Sequence, residues 1–195
     1  MAKESMAICV CGMAGSGKST IAKRLARRYA LKYFSGGDIL KTLASQEGFK
    51  PAKRGWWESK EGIHFLEKRT ADSKFDKTVD EKLLELAKQG NVVLDSWTMP
   101  WLLKCGFKIW LEASREKRAL RIAERDRITV GDAFEALKKK EEKTKKIYKR
   151  LYNFNLGKDF TPFHLIVDTE HLNKEEIFHI ICKVLDSPFV KSCKI

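Results

Sequence analysis

A glycine-rich loop near the start of the chain combines residue types and spacing that suit phosphate binding. The run Gly12-Met13-Ala14-Gly15-Ser16-Gly17-Lys18-Ser19 satisfies Gly-x-x-x-x-Gly-Lys-Ser/Thr at every fixed position, and Thr20 follows it. Glycines allow the backbone to curl so that several N–H groups converge on phosphate oxygens. The Lys18 ammonium is expected to reach the β- and γ-phosphates of a nucleotide, and the Ser19 hydroxyl to bind Mg²⁺. We therefore predict that residues 12–20 bind ATP.

An acidic residue that could share the metal ion ends a later apolar run. Asp95 follows Val92-Val93-Leu94, an arrangement typical of the Walker B strand of phosphate-loop proteins. Its carboxylate could hold Mg²⁺ directly or through water, so Ser19 and Asp95 are the predicted metal contacts. Asp168 also ends an apolar run, and there we expect hydrogen bonding at the strand end rather than metal binding.

Short apolar runs alternate with amphipathic stretches along the chain, and these elements must position the residues above. The pattern predicts strands at 7–11, 31–35, 91–95, 107–111 and 163–168, and helices at 18–28, 38–47, 75–89, 115–127 and 173–185. Asp38 and Ser114 are the expected N-caps. The last helix should turn Ile177, Ile180, Ile181 and Val184 inward. Strands that alternate with helices imply a parallel sheet with helices on both faces.

Composition limits the class of protein. The chain has 195 residues, of which 43% are hydrophobic, enough for one packed domain. Its net charge of +13 favours an anionic partner, such as a nucleotide, a nucleic acid or an acidic surface. The five cysteines lack a Cys-x-x-Cys pair, and the four histidines lack paired ligand spacing, which argues against a disulfide framework or a zinc site. No run approaches about 18 apolar residues, and no targeting segment is evident, so we expect a cytoplasmic protein.

Four motifs together resemble those of the archaeal-type cytidylate kinases, which belong to the nucleoside monophosphate kinase branch of P-loop proteins. They are the phosphate loop, S-G-G-D-I-L at 35–40, G-N-V-V-L-D at 90–95 and R-I-A-E-R at 121–125. The resemblance spans residues 6–186. It implies an α/β fold with a five-stranded parallel sheet, a nucleoside monophosphate (NMP)-binding insertion and a lid. It also implies transfer of the γ-phosphoryl group of ATP to CMP or dCMP with Mg²⁺.

The resemblance divides a single P-loop kinase domain into parts. Its core would comprise residues 6–35, 76–126 and 161–186. Residues 36–75 would form the NMP-binding insertion, 127–160 the lid and 187–195 a loose tail. Within the expected lid, residues 138–150 contain seven lysines, one arginine and two glutamates, a net charge of +6. Most of these lysines should be solvated, whereas one or two should face the phosphates.

The resemblance also implies roles for side chains outside the loop. Lys18, Arg121 and Arg125 would be the catalytic cations, with the two arginines on one helix face near adenine and the ATP phosphates. Each arginine could instead form a surface ion pair with Glu124 or Asp126. The residues expected to bind the acceptor are Asp38, Lys41, Asp76 and Asp80, although the three acids could equally be helix caps or surface acids.

Several positions depart from the family pattern on the acceptor side. The family's Walker B acid is usually followed by Gly-Arg, whose arginine grips the acceptor phosphate, whereas this chain has Ser96-Trp97. Ile147 stands where the lid arginine is expected, and Lys41 replaces another arginine. Neither Trp97 nor Ile147 can grip a phosphate. If the protein is a true cytidylate kinase, another cation must hold the CMP phosphate, and the nearest candidates by region are Lys41, Lys53 and Arg54.

The acceptor therefore has more than one reading. The first is an ATP-dependent NMP kinase with ATP and an NMP as partners. The second is a P-loop kinase that acts on an RNA end or another acceptor, and the third is an NTP-dependent, RNA-associated binding protein with weak transfer. A basic aromatic cluster around Trp56-Trp57, together with Trp97 and Trp101, could stack on bases or serve in packing. We expect a monomer that contacts no membrane and could contact RNA through its basic surface.

Overall fold

Five parallel strands form one sheet at the centre of the computed structural model, which describes residues 6–52 and 54–188. The strands are β1 (Ala7–Gly12), β2 (Lys32–Ser35), β3 (Val92–Asp95), β4 (Phe107–Glu112) and β5 (Leu165–Asp168). Their order in the sheet is β2-β3-β1-β4-β5, and every neighbouring pair is parallel. The predicted α/β fold with a five-stranded parallel sheet is therefore confirmed. Lys53 and residues 189–195 of the expected tail lie outside the described residues.

Helices cover both faces of this sheet, as the alternation in the sequence predicts. They are α1 (Lys18–Arg28), α2 (Gly36–Gln46), α3 (Lys60–Ala71), α4 (Lys74–Lys88), α5 (Met99–Leu102), α6 (Arg115–Asp126), α7 (Val130–Tyr152) and α8 (Lys174–Leu185). A short 3₁₀ turn, Trp56–Glu58, precedes α3. The expected insertion at 36–75 thus contains α2, the 3₁₀ turn and α3, and the expected lid at 127–160 contains the long helix α7. Within the described ranges, no helix is long and apolar enough to cross a membrane.

The central strand β1 is apolar on both sides because it lies between two core clusters. Ile8 and Val10 face a core shared with α1 and α8, whereas Ala7 and Cys9 face a core shared with α3 and α4. Since side chains alternate along a strand, this run of small and β-branched residues fills both layers. Burial raises the pKa of the Cys9 thiol to about 12, as expected of a core cysteine rather than a reactive one.

The order of the strands places a crevice at the carboxyl ends of β1 and β3. From β1 the chain passes to β2 and β3 on one side of that strand and then crosses to β4 on its other side, and ligands bind at such switch points in open α/β sheets. The register pairs Val10 with Asp95, so that the end of β3 lies beside the loop that follows β1. The sheet therefore brings the two predicted phosphate motifs to one edge.

Two local predictions are wrong. Asp38 is not the N-cap of α2, because the Ser35 hydroxyl accepts the backbone N–H of Asp38 at 3.2 Å and the helix begins at Gly36. Ile180 is not an inward residue of α8, since its side chain is 38% exposed. The buried stripe of α8 follows Ile177, Ile181 and Leu185, and Ile180 is rotated away from it. The predicted cap of α6 is confirmed, because the Ser114 hydroxyl accepts the N–H of Lys117.

Candidate active site

The loop between β1 and α1 has a backbone that only glycine can follow. Gly12, Gly15 and Gly17 have φ values of 145°, 84° and 92°. A Cβ on Gly12 would lie 2.5 Å from the carbonyl oxygen of Leu111, and one on Gly15 would lie 2.8 Å from that of Arg118. The loop backbone therefore packs directly against neighbouring strands and helices. Its N–H groups lie at the N-terminus of α1, which is the positive end of the helix dipole.

The other loop residues anchor it to the protein. Met13 and Ala14 are buried, and the Ala14 carbonyl accepts a hydrogen bond from Nη1 of Arg118 at 3.0 Å. Ser16 is fully buried, and its hydroxyl has no hydrogen-bond partner among the described residues. Ser19 and Thr20, by contrast, are exposed at the start of α1. The loop thus has a buried base and a solvent-accessible rim that can meet a ligand.

Two clefts meet at this loop. The first, the α6 cleft, has a volume of about 570 Å³ and is lined by residues 15–21, 117, 121, 122, 125, 172–174 and 177. The second, the α4 cleft, has a volume of about 300 Å³ and lies among the loop, α2, α4, the end of β3 and α7. Gly15, Lys18 and Ser19 line both clefts, so a group bound at this loop is accessible from either side.

The two arginines predicted on α6 have different environments. Arg121 lines the α6 cleft and donates two hydrogen bonds to Thr169, at 3.0 Å to Oγ1 and 2.5 Å to the carbonyl oxygen. Burial lowers the pKa of Arg121. Arg125 forms an ion pair with Asp126 at 2.5 Å, which is the alternative that the sequence analysis named for it. It also forms an ion pair with Glu58 at 3.5 Å. Arg125 nevertheless lines both clefts.

Asp95 and Ser19 both line the α4 cleft, and their oxygens suit a hard cation. The Asp95 carboxylate is 3% exposed, and its Oδ2 accepts the Tyr33 hydroxyl at 3.0 Å. No cluster of three or more acidic, histidine or cysteine ligands exists in residues 6–52 and 54–188. This small donor set fits Mg²⁺, which commonly takes one or two carboxylates together with waters and substrate phosphates.

Asp168 behaves as the sequence predicts for a strand-end residue. Its side chain is exposed at the end of β5, and Oδ1 accepts the backbone N–H of Glu170 at 2.8 Å. Asp168 is not among the residues that line either cleft. The two strand-end aspartates of the sequence are thus separated by the sheet, and only Asp95 lies beside the phosphate loop.

The predicted acceptor acids of α4 form a buried polar cluster at the base of the α4 cleft. Asp76 accepts two hydrogen bonds from Arg69, at 2.5 Å from Nη2 and 3.2 Å from Nε. Asp80 accepts the Thr98 hydroxyl on Oδ1 and the Tyr152 hydroxyl on Oδ2, the latter at 2.6 Å. Burial raises the pKa of Asp80 to about 6, against the opposing effect of these two hydroxyl donors.

Arg69 is a cleft residue that the sequence analysis missed. Its side chain is 3% exposed and lines the α4 cleft beside Asp76. The sequence does contain a signal, because Gly62, Phe65, Leu66 and Arg69 follow the i, i+3, i+4, i+7 spacing of a buried helix face. An arginine on such a face has to find a carboxylate partner, since an unpaired buried charge is strongly unfavourable.

One lysine of the basic segment 138–150 lines the α4 cleft. Nζ of Lys140 lies 3.6 Å from Oε1 of Glu58 and 5.0 Å from the ring centroid of Trp57. Burial lowers the pKa of Lys140 to about 8. Lys139 and Lys143, in contrast, reach the exposed Glu67 on α3. The contact of Lys140 with the 3₁₀ turn thus joins α7 to the segment before α3.

The remaining predicted acceptor residues are divided between two places. Asp38 and Lys41 line the α4 cleft, where Nζ of Lys41 donates to the Ala52 carbonyl at 2.7 Å and burial lowers its pKa. Arg54 borders a separate cavity with Lys50 and Glu61 instead. The structure therefore brings together Asp38, Lys41, Asp76 and Asp80, but places Arg54 elsewhere.

The tryptophans also differ in their surroundings. Trp56 is 2% exposed and packs against Phe65, and Trp101 stacks on Phe154 with ring centroids 3.9 Å apart. Both are packing residues. Trp57 and Trp97 line the α4 cleft. The indole N–H of Trp97 donates to the Gly12 carbonyl at 2.6 Å, so this side chain contacts the entry of the phosphate loop.

Comparisons with known proteins identify relatives of this chain. The cytidylate kinase-like family matches residues 7–171. The chain is 32% identical to cytidylate kinase of Pyrococcus horikoshii over 187 residues, which cover 95% of this chain and 91% of that protein. It is 34% identical to cytidylate kinase of Sulfurisphaera tokodaii over 190 residues, which cover 96% and 99%.

Solved structures of lower identity share the fold. Shikimate kinase from Bacteroides thetaiotaomicron superposes with a TM-score of 0.56 at 14% identity, covering 93% of this chain and 96% of that one. Deoxyadenosine kinase from M. mycoides with bound dATP gives a TM-score of 0.55 at 18% identity, covering 93% and 100%. The α/β architecture described above is thus that of known P-loop kinases.

Proposed function

Because the chain belongs to the cytidylate kinase-like family, we propose that this nucleotide kinase transfers the γ-phosphoryl group of ATP to CMP or dCMP. The observation that carries the proposal is the meeting of two clefts at one loop. Gly15, Lys18 and Ser19 line both the α6 cleft and the α4 cleft. A phosphoryl group held there would lie between a donor in one cleft and an acceptor in the other, as in-line transfer requires.

We assign ATP to the α6 cleft. The backbone N–H groups of the loop and the positive end of α1 would hold its phosphates, and Lys18 would neutralise the β- and γ-phosphates. Arg121, oriented by its two bonds to Thr169, would lie beside the nucleoside. Arg125 lines both clefts and would stabilise charge on the transferred group. Mg²⁺, when bound by Ser19 and Asp95, supplies further neutralisation of the phosphates.

We assign the acceptor nucleotide to the α4 cleft, whose volume of about 300 Å³ lies at the lower end of the range for small-molecule sites. Asp38, Lys41, Asp76 and Asp80 would contact it. Lys41 and Lys140 would supply positive charge for its phosphate. An acceptor phosphate is already an anionic nucleophile, so positioning and charge neutralisation account for the catalysis and no side chain has to act as a general base.

Two segments would cover the bound nucleotides. We propose residues 36–75 as the acceptor-binding insertion and residues 127–160 as the lid. The contact of Lys140 with Glu58 and Trp57 joins these two segments beside the α4 cleft. Closure around phosphates would exclude water and so favour transfer over hydrolysis. An unreactive ATP analogue should therefore protect the 127–160 backbone from hydrogen exchange, as well as the phosphate loop.

The surroundings of the aromatic residues support a mononucleotide rather than an RNA end as acceptor. Trp56 is held in the core, where its indole N–H donates to Glu61 at 2.9 Å. Arg54 borders a different cavity, outside both clefts. Of the basic aromatic cluster that could have formed a platform for stacked bases, Trp56 thus lies in the core and Arg54 outside both clefts, whereas Trp57 and Trp97 line the α4 cleft.

An acceptor panel tests the proposal. The full chain is incubated with ATP, Mg²⁺ and one acceptor at a time: CMP, dCMP, UMP, AMP, GMP or a 5′-hydroxyl RNA oligonucleotide. Formation of ADP and of the phosphorylated product is measured by chromatography, with Lys18→Ala as the background control. We expect CMP and dCMP to be phosphorylated most efficiently. Transfer to RNA without transfer to either cytidine nucleotide would overturn the assignment of the acceptor.

A further inference from the structure

Trp97 lies where three parts of the active site meet. It follows the end of β3, beyond Asp95, and its ring lines the α4 cleft. Its indole N–H donates to the Gly12 carbonyl at 2.6 Å. Its ring lies 5.5 Å from Nζ of Lys18 and makes an edge contact with Tyr148 of α7, with centroids 6.4 Å apart. The phosphate loop, its lysine and α7 therefore share one aromatic neighbour.

Trp97 both donates a hydrogen bond to the loop entry and accepts one from it. The Gly12 carbonyl is fixed by the indole, while the Cys11 thiol points to the Trp97 carbonyl at 3.8 Å. Gly12 has φ of 145°, which glycine adopts readily, and its surroundings leave no room for a side chain, so the backbone is closely packed where the indole contacts it. The indole therefore acts on the loop at the point where its special conformation begins.

The position of Lys18 over the ring has a chemical consequence. The face of an indole attracts an ammonium group without neutralising its charge, because the attraction comes from the ring quadrupole. A carboxylate in the same place would compete with the nucleotide for the lysine. An indole can orient the lysine and still leave its full charge available to phosphate oxygens.

We propose that Trp97 is a positioning residue that orients Lys18 for the donor phosphates. It acts through Lys18 and the loop entry and does not itself touch the reacting atoms. The inference rests on the proposed function only in taking the ATP phosphates as the ligand of Lys18.

A double-mutant cycle tests the coupling of Trp97 to Lys18. Mg²⁺·ATP binding is measured by calorimetry for the wild type, Trp97→Leu, Lys18→Ala and the double variant. Trp97→Leu should weaken binding by about threefold to tenfold, the range of a single cation–π contact. In the Lys18→Ala background, the same substitution should leave the dissociation constant unchanged within about twofold, because its partner is gone.

Further variants separate this coupling from a general effect on folding. Trp101→Phe removes a tryptophan that stacks on Phe154 and is absent from the cleft lining, so binding should be unchanged. If Trp97→Leu does not fold, Trp97→Met removes the ring face with a smaller change of side-chain length, and the cycle is repeated with it. Thermal unfolding of every variant verifies the fold.

The outcomes discriminate between the inference and its premise. Equal losses from Trp97→Leu in the presence and absence of Lys18 would show that Trp97 does not act through the lysine, and would overturn the inference alone. Unaltered binding in Trp97→Leu would do the same. A wild-type chain that binds no Mg²⁺·ATP would overturn the donor site itself, and the role of Trp97 would fall with it.

Discussion

The hydroxyl of Tyr152 donates a hydrogen bond to Oδ2 of Asp80 across 2.6 Å, which ties the last turn of α7 to α4. The other oxygen of Asp80 accepts the Thr98 hydroxyl, from the residue just before α5. One buried carboxylate therefore connects three elements that are far apart in sequence. Since Lys140 lies on the same helix as Tyr152, this bond also anchors the helix that carries a cation to the α4 cleft.

Asp80 should make stability depend on pH with an unusual sign. Burial raises its pKa from 3.8 to about 6, so between pH 4 and 6 the folded chain binds a proton that the unfolded chain lacks. The free energy of unfolding contributed by Asp80 therefore falls as pH rises through this window, by about 2–3 kcal/mol for a pKa shift of this size. Asp80→Asn removes the titration. Urea unfolding at pH 4.5 and pH 7 should show that the variant gains stability relative to wild type at the higher pH.

Tyr152→Phe is the matched variant for this titration. It keeps the acid but removes a donor to the carboxylate, so it should destabilise the chain more at pH 7 than at pH 4.5. A difference between wild type and Asp80→Asn that is flat across pH 4.5–7 would contradict the raised pKa.

The buried pair of Arg69 and Asp76 should be costly to break. Both side chains are at most 3% exposed, so Arg69→Met leaves a buried carboxylate without its partner. We expect a loss of about 3–5 kcal/mol in the free energy of unfolding by urea. Lys68→Met, at the neighbouring position, removes an exposed pair with Glu47 and should cost less than about 1 kcal/mol. Similar losses for the two variants would contradict the buried pair.

Lys140 should limit activity at alkaline pH. Its pKa is lowered by burial from 10.5 to about 8, so its charge is present below pH 8 and is lost above it. If Lys140 serves the acceptor phosphate, kcat/KM for the acceptor should fall as pH rises through 8. Lys140→Arg should shift this fall upward, since a guanidinium stays charged, and Lys140→Met should lower the neutral rate and flatten the profile.

The neighbouring lysine provides the control for this profile. Nζ of Lys139 lies 3.9 Å from Oε1 of the exposed Glu67, and Lys139 does not line either cleft. Lys139→Met should therefore retain the wild-type pH dependence. An alkaline fall that persists unchanged in Lys140→Met would assign the titration to another group.

The two strand-end aspartates should differ in their effect on the Mg²⁺ requirement. Asp95→Asn weakens a hard oxygen ligand in the α4 cleft and should raise the Mg²⁺ concentration for half-maximal activity by roughly tenfold or more. Asp168→Asn changes the same residue type outside both clefts and should leave this concentration unchanged. The measurement is ADP release as a function of Mg²⁺ at saturating ATP. An equal response of the two variants would remove Asp95 from the proposed metal site.

Local patterns in the sequence were enough to predict the sheet and the loop. The strand at 7–11 and the helix at 18–28 depend on apolar runs and helical spacing within each element, and both were found within one residue of the predicted bounds. The loop glycines follow from backbone geometry, which is also local. Two predictions were wrong for local reasons: Ser35 caps α2 in place of Asp38, and the buried stripe of α8 follows Ile177, Ile181 and Leu185, which leaves Ile180 exposed.

By itself, the sequence thus determined the five parallel strands, the phosphate loop between β1 and α1, and the position of Asp95 at the end of β3. Only the tertiary structure decided which cations enter the α4 cleft. It selected Arg69 and Lys140 over Arg54, and set Trp97 against Lys18. The physical reason is that strands and turns depend on neighbours along the chain, whereas a charged side chain enters a cleft only where packing of distant helices supplies a partner such as Asp76 or Glu58.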